Sequence, residues 1–190
     1  MLTVIRTSVA VLALFTVLTG ALYPLLVTGI AQVLFPLQAG GSIIMRDGRP
    51  AGSALVGQYF DGPGYFRGRP SATRPHPYNA ASSSESNLSQ GNPALIKRVQ
   101  ESASILKAAH QDGSRQIPAD LVTSSGSGLD PHISPAAAGY QIRRVAEERG
   151  LDEAVVRSLV DRHTEERQFG ILGEPRVNVL KLNLSLDELR

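Results

Sequence analysis

The feature that most constrains this chain is a long segment without charge near its amino terminus. No charged side chain lies between Arg6 and Arg46, and residues 7–35 are mainly Leu, Val, Ala, Ile and Thr. Lipid cannot satisfy the peptide backbone, so such a segment is stable in a membrane only as a helix. That helix would be about 43 Å long, against a hydrocarbon core of about 30 Å. We therefore predict one transmembrane helix over residues 7–35, with a tilt or a kink at Pro24 that absorbs the extra length.

The flanking charge favours an orientation for this helix. A cleaved signal peptide is the competing interpretation, but its apolar region would be only about 7–15 residues long. We expect the helix to be retained as an anchor. The amino terminus and Arg6 precede the apolar segment, and positive charge favours the cytoplasmic side. Residues 1–6 are then cytoplasmic, and residues 36–190 form a periplasmic, or otherwise extracytoplasmic, domain.

One face of the predicted helix carries small residues or residues that alter the backbone. Such a face permits close approach between membrane helices, although small residues are common in any membrane helix. The candidate helix–helix interface consists of Ala13, Thr16, Gly20, Pro24, Thr28 and Ala31.

Composition excludes several classes of function for the remainder of the chain. The sequence has no cysteine, which excludes disulfides, thiol nucleophiles, cysteine-ligated metals and lipid attachment through a cysteine. Residues 46–190 carry 18 basic and 17 acidic side chains, so no bulk positive field is available to hold nucleic acid.

Local patterns predict a mixed α+β domain. Asn92-Pro93, Ser134-Pro135 and Asp152 are helix-start signals, and Gly150 is a helix-stop signal. The apolar spacing predicts a helix from about 93 to 109 and two more, one after Ser134 and one after Asp152. The first would pack inward the face that carries Leu95, Ile96, Val99, Ala103 and Leu106, and the last would face the core with Val155, Val156, Leu159 and Val160. Short strands are predicted at residues 42–45, 54–60, 121–124 and, from alternating leucines, 180–186.

Two loops are candidates for contact with another protein. Five of the ten aromatic residues lie within residues 59–78, interleaved with arginines, and tyrosine and arginine are enriched at protein interfaces. The alternative is that these rings form the core of a loop-rich lobe; a platform for single-stranded nucleic acid is disfavoured by the charge balance. The candidate residues of the 59–78 and 126–134 loops are Tyr59, Phe60, Tyr65, Phe66, Arg69, Gly128, Asp130 and His132.

Catalytic and metal-binding patterns are weak. Ser104 and Lys107 have the Ser-x-x-Lys spacing of penicillin-binding enzymes, but neither a Lys-Thr-Gly nor a Ser-Asp-Asn triplet follows. No two histidines have metal-ligand spacing, so we expect surface or capping roles for the four histidines and no metal site. These histidines are His76, His110, His132 and His163.

Several segments together resemble one family, the C subunit of the Kdp potassium-transporting P-type ATPase. They occur in the family's order along nearly the whole chain, and residues 120–135 are the most specific of them. The matching segments are residues 57–60, 65–66, 69–72, 86–88, 92–93, 120–135 and 173–183.

The resemblance implies a place in a bacterial inner-membrane complex. Its partners would be a channel-like potassium-binding subunit, a P-type ATPase subunit that is phosphorylated, and a very small peptide subunit. The resemblance implies no catalytic residue and no tightly bound cofactor in this chain. Potassium would be the transported ion, and ATP would enter through the ATPase subunit.

The family's C subunit is described as a catalytic chaperone that raises the ATP affinity of the pump. A Leu-Ser-x-Gly-Gln-like loop is proposed to contact nucleotide, and Ser89, Gln90 and Gly91 occupy it here, with the order Gln-Gly. ATP is cytoplasmic and the predicted topology places this loop across the bilayer, so we expect coupling through the complex instead of direct contact. The alternative function is a stand-alone, membrane-anchored periplasmic binding module or hydrolase.

Overall fold

The computed structural model describes residues 1–109 and 116–189. His110 therefore lies outside the described residues. The chain divides into two compact units, Met1–Ala51 and Gly52–Arg190, and each is described by itself.

The first unit begins with one long apolar helix. It runs from Leu2 to Leu34, and none of its residues is buried in the structure. Helix α1 (Leu2–Val17) passes through a π-helical turn (Leu18–Leu22) into α2 (Tyr23–Leu34). Its 33 residues are long and apolar enough to cross a membrane.

The π-helical turn lies directly before Pro24. The Tyr23 N–H donates to the Leu18 carbonyl, five residues earlier. Proline has no N–H, and its ring crowds the carbonyl four residues before it, so a wider turn at this point relieves the conflict. The backbone irregularity expected at Pro24 is therefore a π-turn over the five preceding residues. The Thr19 hydroxyl donates to the Phe15 carbonyl at 2.6 Å and is therefore satisfied within the helix.

A short helix α3 (Pro36–Ala39) and a two-stranded sheet follow the long helix. Strands β1 (Ile43–Arg46) and β2 (Arg49–Ser53) are joined by Asp47 and Gly48, whose φ angles are +52° and +73°. Two positive φ angles are what a two-residue hairpin turn requires. The first strand was predicted; the strand predicted over 54–60 is wrong, because the Asp-Gly turn sets the second strand five residues earlier.

The second unit contains the predicted helices. They are α4 (Pro93–Ala109), α5 (Pro135–Arg149) and α6 (Glu153–Arg162). The Ser134 hydroxyl accepts from the Ala137 N–H at 3.0 Å, and the Asp152 carboxylate accepts from the Ala154 N–H at 2.7 Å. Gly150 ends α5 with φ of +64°. The predicted capping residues are confirmed.

Two predictions about helix burial need correction. Along α4 Leu106 is buried and reaches the core, and Leu95, Val99 and Ala103 are partly buried, whereas Ile96 is 48% exposed and does not face inward. Along α6, Val155 is 42% exposed while Val156 is fully buried. The buried face of α6 is formed by Val156, Leu159 and Val160, and Val155 lies outside it.

A small antiparallel sheet connects distant parts of this unit. Strands β3 (His132–Ile133), β5 (Arg176–Asn178) and β4 (Thr164–Glu165) lie in that order, with His132 opposite Asn178 and Thr164 opposite Val177. The strand predicted over 121–124 is wrong: Ala119–Leu121 is a 3₁₀ helix, and the Thr123 N–H and hydroxyl both donate to the Ala119 carbonyl.

The strand predicted over residues 180–186 is also wrong. This segment is helix α7 (Val179–Asp187), which begins at Asn178, whose side chain accepts from the Lys181 N–H. The buried positions of α7 follow helical spacing, since Val179, Leu182, Asn183 and Leu186 line one face.

The hydrophobic core of the second unit lies between α5, α6, α7 and the three-stranded sheet. Phe66 from the loop region and Leu106 from α4 complete it. The mixed helix and strand content agrees with the predicted α+β class. The largest fully buried apolar side chains are Phe66, Ile142, Leu182, Leu186, Val145, Val156 and Val177.

Candidate functional site: a loop platform held by buried amides

Two buried amide side chains of the helical core hold the backbone of the 59–78 loop at Phe66 and Arg67. Asn183 of α7 accepts from the Phe66 N–H and donates to the Phe66 carbonyl, both at 2.9 Å. Gln141 of α5 accepts from the Arg67 N–H at 2.8 Å and donates to the Arg67 carbonyl at 3.1 Å. We call these two residues the amide clamp; they satisfy the peptide groups that a neighbouring strand would satisfy in a sheet.

Arg144 reinforces the clamp from α5. Its side chain is buried and donates to the Tyr65 carbonyl at 3.0 Å, to Gln141 Oε1 at 2.8 Å and to the Pro63 carbonyl. Burial and the nearby charge of Arg67 lower the pKa of Arg144 to about 10, and Glu148 opposes that change. Arg144 therefore positions the loop backbone and stays cationic at neutral pH.

The aromatic residues of the 59–78 loop divide into core and surface positions. Phe66 is fully buried, so it belongs to the core and the interface proposal does not extend to it. Phe60 and Tyr65 are partly buried, with ring centroids 5.6 Å apart, and the Arg149 guanidinium lies 4.6 Å from the Tyr65 centroid. Tyr59 is 63% exposed. Of these aromatics, Tyr59 presents most of its surface to solvent.

Asp130 links the two loops electrostatically. Its carboxylate accepts from the His132 N–H at 3.0 Å and lies 3.5 Å from the Arg69 guanidinium. Partial burial alone would raise the pKa of Asp130, but the hydrogen bonds and charge of His132 and the charge of Arg69 outweigh burial and lower that pKa. Arg69 also donates to the Thr123 and Ser124 carbonyls. The three predicted residues Arg69, Asp130 and His132 thus lie together.

Tyr78 is a site residue whose position the sequence did not reveal. Its ring packs against Gly57, where a Cβ would come within 2.3 Å of a ring carbon, and its hydroxyl lies against Gly68, where a Cβ would come within 2.5 Å of the oxygen. Its hydroxyl donates to the Arg69 carbonyl at 2.6 Å. Burial, together with the nearby charge of Asp130, raises the pKa of Tyr78 to about 12, although Arg69 lowers it. The two glycines are the sequence signal that marks the slot for this ring.

Gly128 brings the second loop against the first. Its φ is +68°, and a Cβ there would lie 2.7 Å from both the Ser84 carbonyl and the Thr73 side chain. Its own carbonyl accepts from the Ser71 hydroxyl at 2.7 Å. The predicted residue Gly128 therefore acts through backbone approach. We refer to residues 57–78 and 123–132 together as the loop platform.

A cavity of about 300 Å³ lies between the loop platform and α4. Arg67 lines it and carries a buried Nε with no hydrogen-bond partner among the described residues. The remaining lining is a mixture of rings, aliphatic groups and hydroxyls: Tyr59, Phe60, Asp61, Gly68, Arg69, Pro70, Ser71, Pro77, Tyr78, Ser102, Ile105, Leu106 and Leu121.

The loop with the nucleotide-like signature is an exposed turn. Ser89, Gln90 and Gly91 are all exposed, and a Cβ added at Gly91 would meet no atom within 4 Å. The turn is closed by the Asn92 N–H, which donates to the Ser89 carbonyl at 3.0 Å. Asn92 then accepts from the Ala94 N–H at 2.9 Å and starts α4. The local structure is thus that of a helix-leading turn.

The described residues contain no cluster of three or more histidine or carboxylate side chains able to hold a metal ion. His163 follows α6 and its ring interacts with the Leu159 carbonyl and the Ser185 hydroxyl; of the surface and capping roles expected for the histidines, it has the capping one. Ser104, of the Ser-x-x-Lys pattern, lies on exposed α4 surface and donates to the Gln100 carbonyl within the helix.

Comparison with known proteins covers both units of the chain. The family model described as "KdpC: K+-transporting ATPase, c chain" matches residues 5–188. The chain belongs to the KdpC family. It is similar to the potassium-transporting ATPase KdpC subunits of Dechloromonas aromatica (57% identical; 100% of this chain, 99% of that one) and Sorangium cellulosum (57%; 100% of each). The subunit of Methylococcus capsulatus is 56% identical over 97% of each chain.

The KdpC assignment confirms the family that the sequence motifs indicated. Because the matched region begins at residue 5, the family resemblance includes the long apolar helix as well as the loop platform. Relatives of nearly equal length indicate that the two units occur together in this family.

Proposed function

We propose that this KdpC chain is a non-catalytic accessory subunit of an ATP-driven, high-affinity potassium import complex. The observation that carries the proposal is similarity over the full length to proteins named as subunits of a potassium-transporting ATPase. The chain would be a single-pass protein of the bacterial inner membrane, with residues 1–6 cytoplasmic and the domain periplasmic. The apolar Leu2–Leu34 helix and the position of Arg6 support this topology.

Assembly is supported by the surface of the long helix. Ala13, Thr16, Gly20, Pro24 and Thr28 are exposed and Ala31 is partly exposed, so the small-residue face is unused within its own unit. A Cβ added at Gly20 would meet no atom within 4 Å. This face is available for close contact with a helix of a partner subunit.

The loop platform is the proposed contact on the far side of the membrane. Its exposed Tyr59 and the Arg69–Asp130–His132 group would cover the outer mouth of the channel-like potassium-binding subunit. The amide clamp supports this role because it fixes the backbone of the first loop at Phe66 and Arg67 before binding, which lowers the entropic cost of association. The P-type ATPase subunit and the very small peptide subunit are the other proposed partners.

An effect on ATP affinity would act through the complex. A subunit that stabilises one conformation of the pump shifts nucleotide binding without touching the nucleotide. In the proposed topology the exposed Ser89–Gln90–Gly91 turn is separated by the bilayer from cytoplasmic ATP. We therefore propose the catalytic-chaperone role in this coupled form, with ATP bound by the ATPase subunit and no cofactor held tightly here.

Purification through a tag on this chain tests the proposal. We expect the other subunits to be recovered in stoichiometric amounts in mild detergent. Gly20→Leu should reduce this recovery several-fold. The leucine side chain would meet no atom of this chain near Gly20, so it would interfere only with a helix of a partner subunit packed against that face. Leu14→Ile, at an exposed apolar position of the same helix, is the matched control and should not reduce recovery.

Recovery of this chain alone would reject the subunit proposal and favour the stand-alone binding module or hydrolase. Equal losses in Gly20→Leu and Leu14→Ile would reject the small-residue face while leaving the subunit proposal in place.

A further inference from the structure

The most exposed large apolar side chain of the second unit belongs to the connection between β4 and β5. Phe169 is 92% exposed, Ile171 76% and Leu172 55%. We call residues 167–173 the apolar tip. Single exposed apolar residues are ordinary on a protein surface, but three large ones within four positions mark a binding surface.

The apolar tip is ordered by its own backbone. Gln168 and Leu172 exchange two hydrogen bonds, each of 2.9 Å, and the Gly170 N–H donates to the Arg167 carbonyl at 3.0 Å. At its base Arg167 pairs with Glu174 at 2.6 Å. If a partner covered the tip, these backbone groups would keep their hydrogen bonds. The tip would also lose little conformational entropy on binding, because it is already ordered.

The conformation of Phe169 is unfavourable for such a residue. Its φ is +54°, in the left-handed region that large side chains rarely adopt, and Gly170 follows at +75°. This arrangement projects a phenyl ring into solvent with no core contact to compensate it. The tight turn between Gln168 and Leu172 holds this conformation, and strain of this kind clusters at functional sites.

We infer that the apolar tip inserts into an uncharged, apolar pocket on another subunit of the potassium-transporting ATPase. This inference rests on the proposed function, which supplies the partner complex. The tip would act as an anchor separate from the loop platform and from the small-residue face of the long helix. Interface hot spots are typically a few side chains that are fully desolvated in a pocket of the partner and surrounded by a polar rim.

Charge and area favour a protein pocket over the other occupants. Residues 166–175 contain one basic side chain, Arg167, which is paired, and two acidic ones, whereas segments that bind lipid surfaces are rich in Lys and Arg. A second copy is disfavoured by size: three side chains bury about 400 Å², and a stable dimer needs about 800 Å² per partner.

The test compares Ile171→Asp with Ile96→Asp in the tagged full-length chain. Ile96 is also exposed, at 48%, and lies on α4 away from the tip in sequence. We expect Ile171→Asp to reduce recovery of partner subunits about tenfold, and Ile96→Asp to leave recovery unchanged. Circular dichroism of both variants should match the wild type, since neither position is in the core.

The outcomes separate the inference from the proposed function. Equal recovery with Ile171→Asp and with the wild type would overturn the apolar tip while the subunit proposal stands, and equal losses in both variants would also overturn it. Failure of the wild type to recover partners would overturn both.

A second measurement identifies the occupant. The chain has no cysteine, so Phe169→Cys allows one environment-sensitive dye to be attached to the tip. We expect the dye on the chain alone in lipid nanodiscs to report an aqueous setting, and to shift to an apolar one only when the partner subunits are present. An apolar signal from the chain alone would show that the bilayer covers the tip and would overturn the inference.

Discussion

Gly128 illustrates how a single residue determines the geometry of the loop platform. Its left-handed backbone and its close approach to Ser84 and Thr73 leave no space for a side chain. The Ser71 hydroxyl bonds the Gly128 carbonyl and also accepts from the Tyr78 N–H at 3.0 Å. One backbone position thus connects both loops.

We predict that Gly128→Ala destabilises the domain by about 2 kcal/mol or more, because strain and a steric clash combine. Gly126→Ala, in the same loop, is the control: its Cβ would lie 3.9 Å from Glu85, an ordinary contact distance. Urea unfolding of the purified full-length chain, followed by circular dichroism, measures both variants. A Gly128→Ala midpoint equal to the Gly126→Ala midpoint would contradict the prediction.

At individual positions, the sequence grouped polar candidates that lie close together in space, but it did not show which aromatic residues are buried. Arg69, Asp130 and His132 were predicted as candidates and lie together. Phe66 and Tyr59 belong to the same aromatic cluster in the sequence, yet one is fully buried and the other is 63% exposed. Burial in a loop depends on partners distant in sequence, here Asn183 of α7, so no local period reveals it.

Helix α7 shows why a short leucine pattern misled the prediction of an element. Leucines at alternate positions fit a half-buried strand, but Val179, Leu182, Asn183 and Leu186 also fit one helical face. The decisive residues were the polar ones: Asn178 caps the helix and Asn183 is buried in the amide clamp. In the strand interpretation Asn183 would have pointed to solvent.

The amide clamp gives a prediction for this element. Asn183→Ala should lower the free energy of unfolding by about 2–4 kcal/mol, because the Phe66 N–H and carbonyl would both lose their partner in a buried place. Gln100→Ala, on exposed α4 surface, removes a similar amide at a position outside the core. Chemical denaturation of both full-length variants tests this. An Asn183→Ala cost no greater than that of Gln100→Ala would show that the clamp contributes little.

For the whole molecule, the untested property with the widest consequences is orientation across the membrane. We predict that protease added to sealed spheroplasts digests the second unit and spares residues 1–6, because Arg6 and the amino terminus favour the cytoplasmic side. Loss of a carboxyl-terminal tag reports digestion of the second unit. Lysed spheroplasts, in which protease reaches both sides of the membrane, show whether the tag can be digested at all. Protection of the tag in sealed spheroplasts would place the Ser89–Gln90–Gly91 turn in the cytoplasm, where ATP is, and would support direct contact between this turn and the nucleotide.

At this largest scale, the sequence predicted the long apolar helix, helices α4 to α6 and the family. These features depend on local signals: charge, capping residues and repeated spacing. The three-stranded sheet and the cavity were not predicted. Strands β3 and β4 contain two residues each, and β5 contains three, so their pairing depends on chain segments up to 46 residues apart and leaves almost no periodic trace.

The amide clamp has an evolutionary consequence. Asn183 and Gln141 form hydrogen bonds with main-chain atoms of the loop, which do not depend on residue type. They do not bind the side chains that project outward from the loop. Substituting a side chain that the clamp does not touch, such as Tyr59, therefore leaves the backbone hydrogen bonds at Phe66 and Arg67 in place. A subunit built in this way can adapt to changes in the sequence of a partner by substituting surface side chains, without a change in its own fold.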